Sequence, residues 1–267
     1  MVLTAPPPGR TGGEHFHPAA VSGLPEPARR WLRHAIPPGA PLPAGTDLRM
    51  HGAILLGRWR PFRARETIVP RSGFTWAART RIAGLPVSGF DRYADGEGEM
   101  RWSLAGIVPV RSARGFDVTL SAFERMVAES VFVPGALVDA DWCVGGAPGS
   151  AVYSQRWNGH PHRTRVSVRV DAGDRLAAVS LWRWGDPTGT GRYGLHRFEA
   201  LLEEEVPCPV GGPGDRSDIL VPRCVRAAWI GADGARQEFF RAVIDAATPV
   251  AAIPVTATAT ADPVADP

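Results

Sequence analysis

Asp47-Leu48-Arg49-Met50-His51-Gly52-Ala53-Ile54-Leu55-Leu56 is the run whose period decides the fold. Its even positions, Leu48, Met50, Gly52, Ile54 and Leu56, are apolar or small, while Asp47, Arg49 and His51 stand between them. Side chains alternate across a strand, so this is an apolar face backed by a wet one. The pattern repeats outward. Phe62, Ala64, Glu66 and Ile68 alternate with Arg63, Arg65 and Thr67; Phe74, Trp76, Ala78, Thr80 and Ile82 alternate with residues that include Arg79 and Arg81. Gly57, Pro61, Pro70, Gly73, Gly84 and Pro86 punctuate the runs as turn residues. Val87 to Tyr93 and Glu97 to Leu104 add two strands, the second with Met100, Trp102 and Leu104 on one face. Connections this short join antiparallel neighbours, because parallel crossovers need a dozen or more residues.

Two helices flank this meander. Leu24 to Ile36 has prolines in its first turn and an apolar stripe of Trp31, Leu32 and Ile36. Thr119 to Val133 carries Leu120, Phe123, Met126, Val127 and Val131 at helical spacing, with Ser121 and Glu124 in capping-box register and Pro134-Gly135 as its stop. Such a stripe following an antiparallel sheet covers the sheet's apolar face. Strands return at Ala151 to Trp157, at Arg163 to Val170, and, after a turn at Asp171 to Asp174, at Leu176 to Trp184. Tyr193 to Leu202 continues as a strand whose end could turn helical. Cys208 to Asp215 reads as a loop, Ile219 to Ile230 as one or two strands, and Gln237 to Ile244 as the last. The expected fold is α+β: a large curved antiparallel sheet, half-barrel-like, covered by two main helices. It forms one domain from 24 to 246 between disordered tails at 1–23 and 247–267, with the second half free to extend the same sheet or form another.

Composition narrows function by exclusion. The chain has 267 residues, 44% of them hydrophobic, enough for a full core. Every basic residue counted under Lys+Arg is arginine, and the net charge is only +3, with carboxylates interleaved. No basic stripe is set apart, so no nucleic-acid partner is expected. Cys143, Cys208 and Cys224 form no close pair, which fits reduced thiols and no thiolate metal site. The first residues lack a signal peptide's apolar run and no stretch has the length of a spanning helix, so a cytoplasmic location is expected. No Gly-x-Ser-x-Gly and no phosphate loop occur, and no cofactor is expected.

Several residue groups could still carry chemistry. Asp91, Tyr93, Asp95 and Glu97 are the densest polar cluster. Asp91 and Tyr93 share a strand face and could meet one ligand, while Asp95-Gly96 is also a hairpin signal that makes the cluster a solvated turn. Glu129 follows Arg125 by one helical turn, as an exposed ion pair or, if buried, as a pocket carboxylate. His160 and His162 are two apart with no third ligand placed, so no metal is assigned. The Arg49, Arg63, Arg65, Arg79 and Arg81 side chains read as the wet face of the sheet or as a grip for anions.

Asp91-Arg92-Tyr93-Ala94-Asp95-Gly96-Glu97-Gly98-Glu99-Met100, then Leu104-Ala105-Gly106, Pro109, Arg125, Glu129, Pro134 and Leu137, resemble a bacterial family of unknown function. The opening Leu24-Pro25-Glu26-Pro27-Ala28-Arg29-Arg30-Trp31 resembles that family's first helix. Ser217-Asp218-Ile219-Leu220-Val221-Pro222 departs from the family's usual Gly-Val-Arg-Ile-Pro. The later segments are similar to lipoprotein-carrier (Lol-type) folds, which implies a curved sheet wrapping helices, an apolar-ligand role and no catalytic residue. The leading expectation is a binding protein for a hydrophobic or amphipathic small molecule held between sheet and helix. Trp76, Met100, Trp102, Phe123 and Met126 would line the site, and Asp91, Tyr93 or Glu129 would form its polar end, unless these residues simply fill a solid core. The alternatives are an enzyme using Asp91, Tyr93 and Glu129 on a small substrate, or a protein-interaction module. The sequence does not set the oligomeric state.

Overall fold

The first and last strands pair with each other at the middle of one sheet, and that single pairing organises the molecule. The structure, a computed structural model, describes residues 15–211 and 217–250. The strands are β1 (Gly45–Leu56), β2 (Arg58–Val69), β3 (Gly73–Ile82), β4 (Leu85–Ala94), β5 (Glu97–Leu104) and β6 (Val108–Arg114). After a helix follow β7 (Asp141–Val144), β8 (Ser150–Arg156), β9 (Arg163–Val170), β10 (Leu176–Gly185), β11 (Gly194–Pro209), β12 (Asp218–Ile230) and β13 (Arg236–Val250). They form a 13-stranded antiparallel sheet in the order β6-β5-β4-β3-β2-β1-β13-β12-β11-β10-β9-β8-β7. The chain therefore meanders out to one edge, crosses, and meanders back from the other. The second half extends the same sheet.

The crossing is made by α2 (Phe116–Glu129), which lies against β3 to β6 on one flank and β9 and β10 on the other. The first helix, α1 (Glu26–Ala35), packs on β8, β9 and β12. Its proline-marked start is as expected, since proline's fixed φ suits a first turn. Gly98 lets α2 land close to β5: a Cβ there would come within 2.6 Å of the Thr119 Cα and the Val118 carbonyl oxygen. In return the Gly98 N–H donates to Thr119 Oγ1 at 3.0 Å. The core joins Phe16, Trp31, Leu48, Ile68, Phe123 and Met126 in one cluster, each large side chain contributing roughly 1.5–3 kcal/mol.

Several boundaries differ from expectation. Helix α2 begins at Phe116, directly after Gly115 turns the chain at φ 108, so the Ser121–Glu124 capping box falls inside the helix. Glu124 is 1% exposed and is used elsewhere. Residues 130–132 and 134–137 are 3-10 turns. Glu203 to Glu205 stay in strand β11, kinked at Glu204 (φ 55), and Cys208 is buried in that strand instead of lying in a loop. Strand β12 is a single element. Residues 247–250, expected in a tail, pair with β1 through Leu48 to Gly45. At the other end Phe16 and Val21 are buried, so ordered chain precedes residue 24. The remaining tail expectations, for 1–14 and 251–267, lie outside the described residues, as do 212–216 of the expected loop. Asp95 and Gly96 adopt φ 54 and 81, the left-handed pair a two-residue hairpin needs.

Candidate functional site

Strand register assembles the site before any side chain is considered. Glu66 pairs with Trp76, Trp76 with Asp91, and Asp91 with Met100, so four residues from β2 to β5 form one row on the helix-bearing face. Helix α2 delivers Arg125 onto this row. Its Nη2 lies 2.9 Å from Glu66 Oε1, its Nη1 3.4 Å from Asp91 Oδ2, and its Nε 2.7 Å from Glu129 Oε1. The guanidinium also stacks over Phe74 and Trp76, at 4.8 and 5.3 Å from the ring centres. Asp91 takes a further bond of 3.0 Å from Trp102 Nε1. Glu129 is thus an i, i+4 partner of Arg125 as its spacing indicates, in an interior and not an exposed setting.

Three carboxyls around one guanidinium leave an excess of negative charge, which favours the protonated form of the most buried of them. Burial, then the neighbouring Glu129, raise the Glu66 carboxyl well above its ordinary range, against the pull of Arg125. Burial likewise raises Asp91, opposed by Arg125 and by the Trp102 bond. A proton on Glu66 would offer a donor to Glu129 Oε2, which has no partner among the described residues. Arg125 itself is pushed up by its carboxylates despite burial.

On the opposite flank the pattern changes. Arg183 of β10 lies over Phe198 and Trp229, 5.3 and 5.6 Å from their ring centres, and reaches Ser121 only at 3.5 Å. It makes no ion pair within 4 Å among the described residues, and its Nε has no acceptor. Burial and the repulsion of Arg125 push it down to about 10. Close by, Glu124 accepts the Trp184 backbone N–H and stands 2.9 Å from His162 Nε2. Burial raises Glu124, with the Trp184 and His162 contacts pulling the other way.

A bulge in β13 joins the two flanks. Ala227 pairs with Phe240 but Ala228 pairs with Glu238, leaving Phe239 as the extra residue. The bulge brings both phenylalanines to the helix-bearing face. Phe240 stacks on Phe62 at 5.2 Å and meets Trp76 at 6.1 Å, while Phe239 stacks on Trp229 at 5.8 Å. With Trp102 against Trp76 and Phe198 against Trp229, an aromatic floor runs from β5 to β11. Trp102, Trp229, Phe239 and Phe240 are only half-buried. The Trp76 indole N–H beneath them is buried and has no acceptor among the described residues.

The structure separates the residues singled out in the sequence. Asp91 and Glu129 meet at Arg125. Tyr93 is turned away to Phe123, 5.7 Å between ring centres, and no contact joins it to either carboxyl. Trp76, Phe123 and Met126 are core residues, whereas Met100 and Trp102 are half-buried. Asp95 and Glu97 are exposed beside the hairpin turn. His160 stacks on Trp157 at 4.0 Å and His162 faces Glu124, so the two imidazoles serve different neighbours. Arg49, Arg63, Arg65, Arg79 and Arg81 are solvent-exposed, with Arg65 paired to Asp47. Glu66 and Arg183 were not singled out, yet each carried a signal: a charged residue at an apolar-face position, after Phe62 and Ala64 in one case and after Val179 and Leu181 in the other. A cavity of about 340 Å³ lies elsewhere, lined by residues such as Arg169, Asp171, Arg175 and Glu203. No helix among the described residues is long and apolar enough to cross a membrane.

The chain belongs to the family of unknown function DUF6544, whose model matches residues 14–235. Two solved structures are similar in overall path. One is a domain described as an outer membrane lipoprotein-sorting protein from Vibrio parahaemolyticus, 10% identical, with a TM-score of 0.39 over 76% of this chain and 84% of that one. The other is a LolA superfamily protein from Nitrosomonas europaea, 9% identical, with a TM-score of 0.41 over 85% of this chain and 93% of that one. None of the curated proteins matches.

Proposed function

We propose that this DUF6544 protein binds an amphipathic small molecule on the aromatic floor, in the trough of a half-barrel-like sheet roofed by α2. The observation that carries this reading is the β13 bulge, which links two aromatic clusters into one half-exposed apolar surface. Ligand sites are mostly apolar with a few fixed polar groups, and two such groups flank this floor. The Trp76 indole N–H and the Arg183 Nε are buried donors without acceptors among the described residues, and leaving a buried donor unpaired costs roughly 1–3 kcal/mol. An acceptor oxygen at the polar end of the ligand would satisfy one or both. Its apolar body would lie over Phe239, Phe240, Trp229 and Trp102.

Native mass spectrometry of freshly purified protein, set against the denatured mass, tests this directly. The expected result is an added mass of metabolite or lipid size that leaves on unfolding and is reduced in Phe240→Ala and Trp229→Ala. Apo protein that also takes up no long-chain amphiphile on titration would rule the reading out.

A further inference from the structure

We infer that the rim formed by the β1–β2, β3–β4 and β5–β6 turns docks onto the surface of an anionic phospholipid bilayer. This stands apart from the ligand reading, because it rests on a different part of the molecule.

Sheet order puts these three turns side by side. Leu56 pairs with Arg58 across Gly57, Ile82 with Leu85 across Ala83-Gly84, and Leu104 with Val108 across the Ala105–Ile107 turn. Neighbouring strands are about 4.8 Å apart, so successive tips on this rim stand about 10 Å apart. Each tip ends in large apolar side chains turned to solvent. Ile107 is 84% exposed, Val108 56%, Leu85 53% and Leu56 43%. Single exposed apolar residues need no explanation, but a contiguous row marks an interaction surface.

The charge pattern identifies the partner. No Asp or Glu occurs between Asp47 and Glu66, between Glu66 and Asp91, or between Glu99 and Asp117, the three stretches that contain these turns. Arg58, Arg81 and Arg111 lie there and are exposed. Cationic side chains interspersed with protruding aliphatic tips match a bilayer interface, where the tips enter the headgroup region and guanidinium groups meet phosphates. Nucleic acid would use the arginines but not the isoleucine, leucine and valine tips. Of the other turns of the same rim, β10–β11 carries Asp186 and β12–β13 carries Asp233, while β8–β9 (residues 157–162) has no acid but also no exposed large apolar tip, which confines the footprint to β1–β6. On the opposite rim the β4–β5 turn carries Asp95 and the β9–β10 turn Asp171 and Asp174.

The test is cosedimentation of the full chain with vesicles of an equal mixture of phosphatidylglycerol and phosphatidylcholine, against phosphatidylcholine alone. Binding to the mixed vesicles only, weakening as salt is raised, is expected. Replacing Arg58, Arg81 and Arg111 together by Gln should lower the partition coefficient about a hundredfold, about fivefold for each charge. Ile107→Ser with Val108→Ser should also lower it. Val144→Ser, at a residue 78% exposed on β7, should leave it unchanged. All these positions face solvent, so an unaltered melting temperature shows that the variants fold. Absence of binding to mixed vesicles at low salt overturns the inference. So does binding that both rim variants retain, or capture of a protein or nucleic acid through these tips without vesicle binding.

Discussion

Arg125, carried by α2, and Arg183, reaching α2 from β10, are both half-buried, both stacked on aromatic rings, and opposite in their electrostatics. Arg125 meets Glu66, Asp91 and Glu129 within 3.4 Å, while Arg183 has no carboxylate within ion-pair distance among the described residues. A buried cation is stable only when counterions and hydrogen bonds replace the water it has lost. On the β2–β5 flank the Arg125 guanidinium therefore has its counterions in place. The β10 flank holds a guanidinium still short of an acceptor, which together with the Trp76 indole N–H is offered to the proposed ligand's polar end.

The sharpest break in this comparison is Arg125→Met. It strips the counterion from three interior carboxyls at once, and chemical denaturation should show a loss of about 3–5 kcal/mol. A loss no larger than that of a surface substitution would mean the cluster is solvated. Gly98→Val attacks the same flank through backbone contact, since its Cβ would collide with the Val118 carbonyl and the Thr119 Cα of α2. A loss of about 1–3 kcal/mol is expected, with α2 displaced, which quenching of its neighbour Trp157 would register.

The pH dependence sharpens the assignment of the proton. The folded Glu66 pKa is raised above its unfolded value by burial and by Glu129. The folded state therefore binds this proton more tightly, and the stability it brings is complete below the unfolded pKa, near pH 4.5. That stability is lost as pH rises toward the folded value, at no more than about 1.4 kcal/mol per pH unit. Glu66→Gln, permanently neutral, should flatten this decline in a series of urea melts, leaving the smaller contributions of the likewise raised Asp91 and Glu124. A profile as steep in the variant as in the parent would place the proton elsewhere. The smallest effect is expected from Arg183→Met, which removes a desolvated charge that has no ion pair: stability should hold or rise by about 1 kcal/mol. A loss comparable with that of Arg125→Met would abolish the distinction between the two flanks.

How far the site could be read from sequence depends on which kind of neighbour makes it. The i, i+4 spacing of Arg125 and Glu129 was legible because a helix fixes that separation locally. The depth of the pair was not, since burial depends on Glu66 and Asp91, 59 and 34 residues earlier in the chain. Asp91 and Tyr93 share a strand face as their spacing requires, yet a shared face does not give shared partners, and Tyr93 turned to Phe123. Glu124 fitted a capping pattern, and the glycine before Phe116 started the helix earlier and left that carboxylate to β10 and His162.

Period-2 alternation and short turns alone determined that strands fill both halves of the chain and that neighbours run antiparallel, because side-chain alternation and loop length are properties of adjacent residues. The α2 stripe likewise announced a helix laid on a sheet. Only the tertiary structure decided that β1 pairs with β13, making one sheet of two meanders, and that a bulge beside Ala228 turns Phe239 and Phe240 to the same face. It also decided which of two half-buried arginines received carboxylates. Those outcomes depend on contacts between residues far apart in the chain, whose energies arise only when the whole sheet has assembled with its helix.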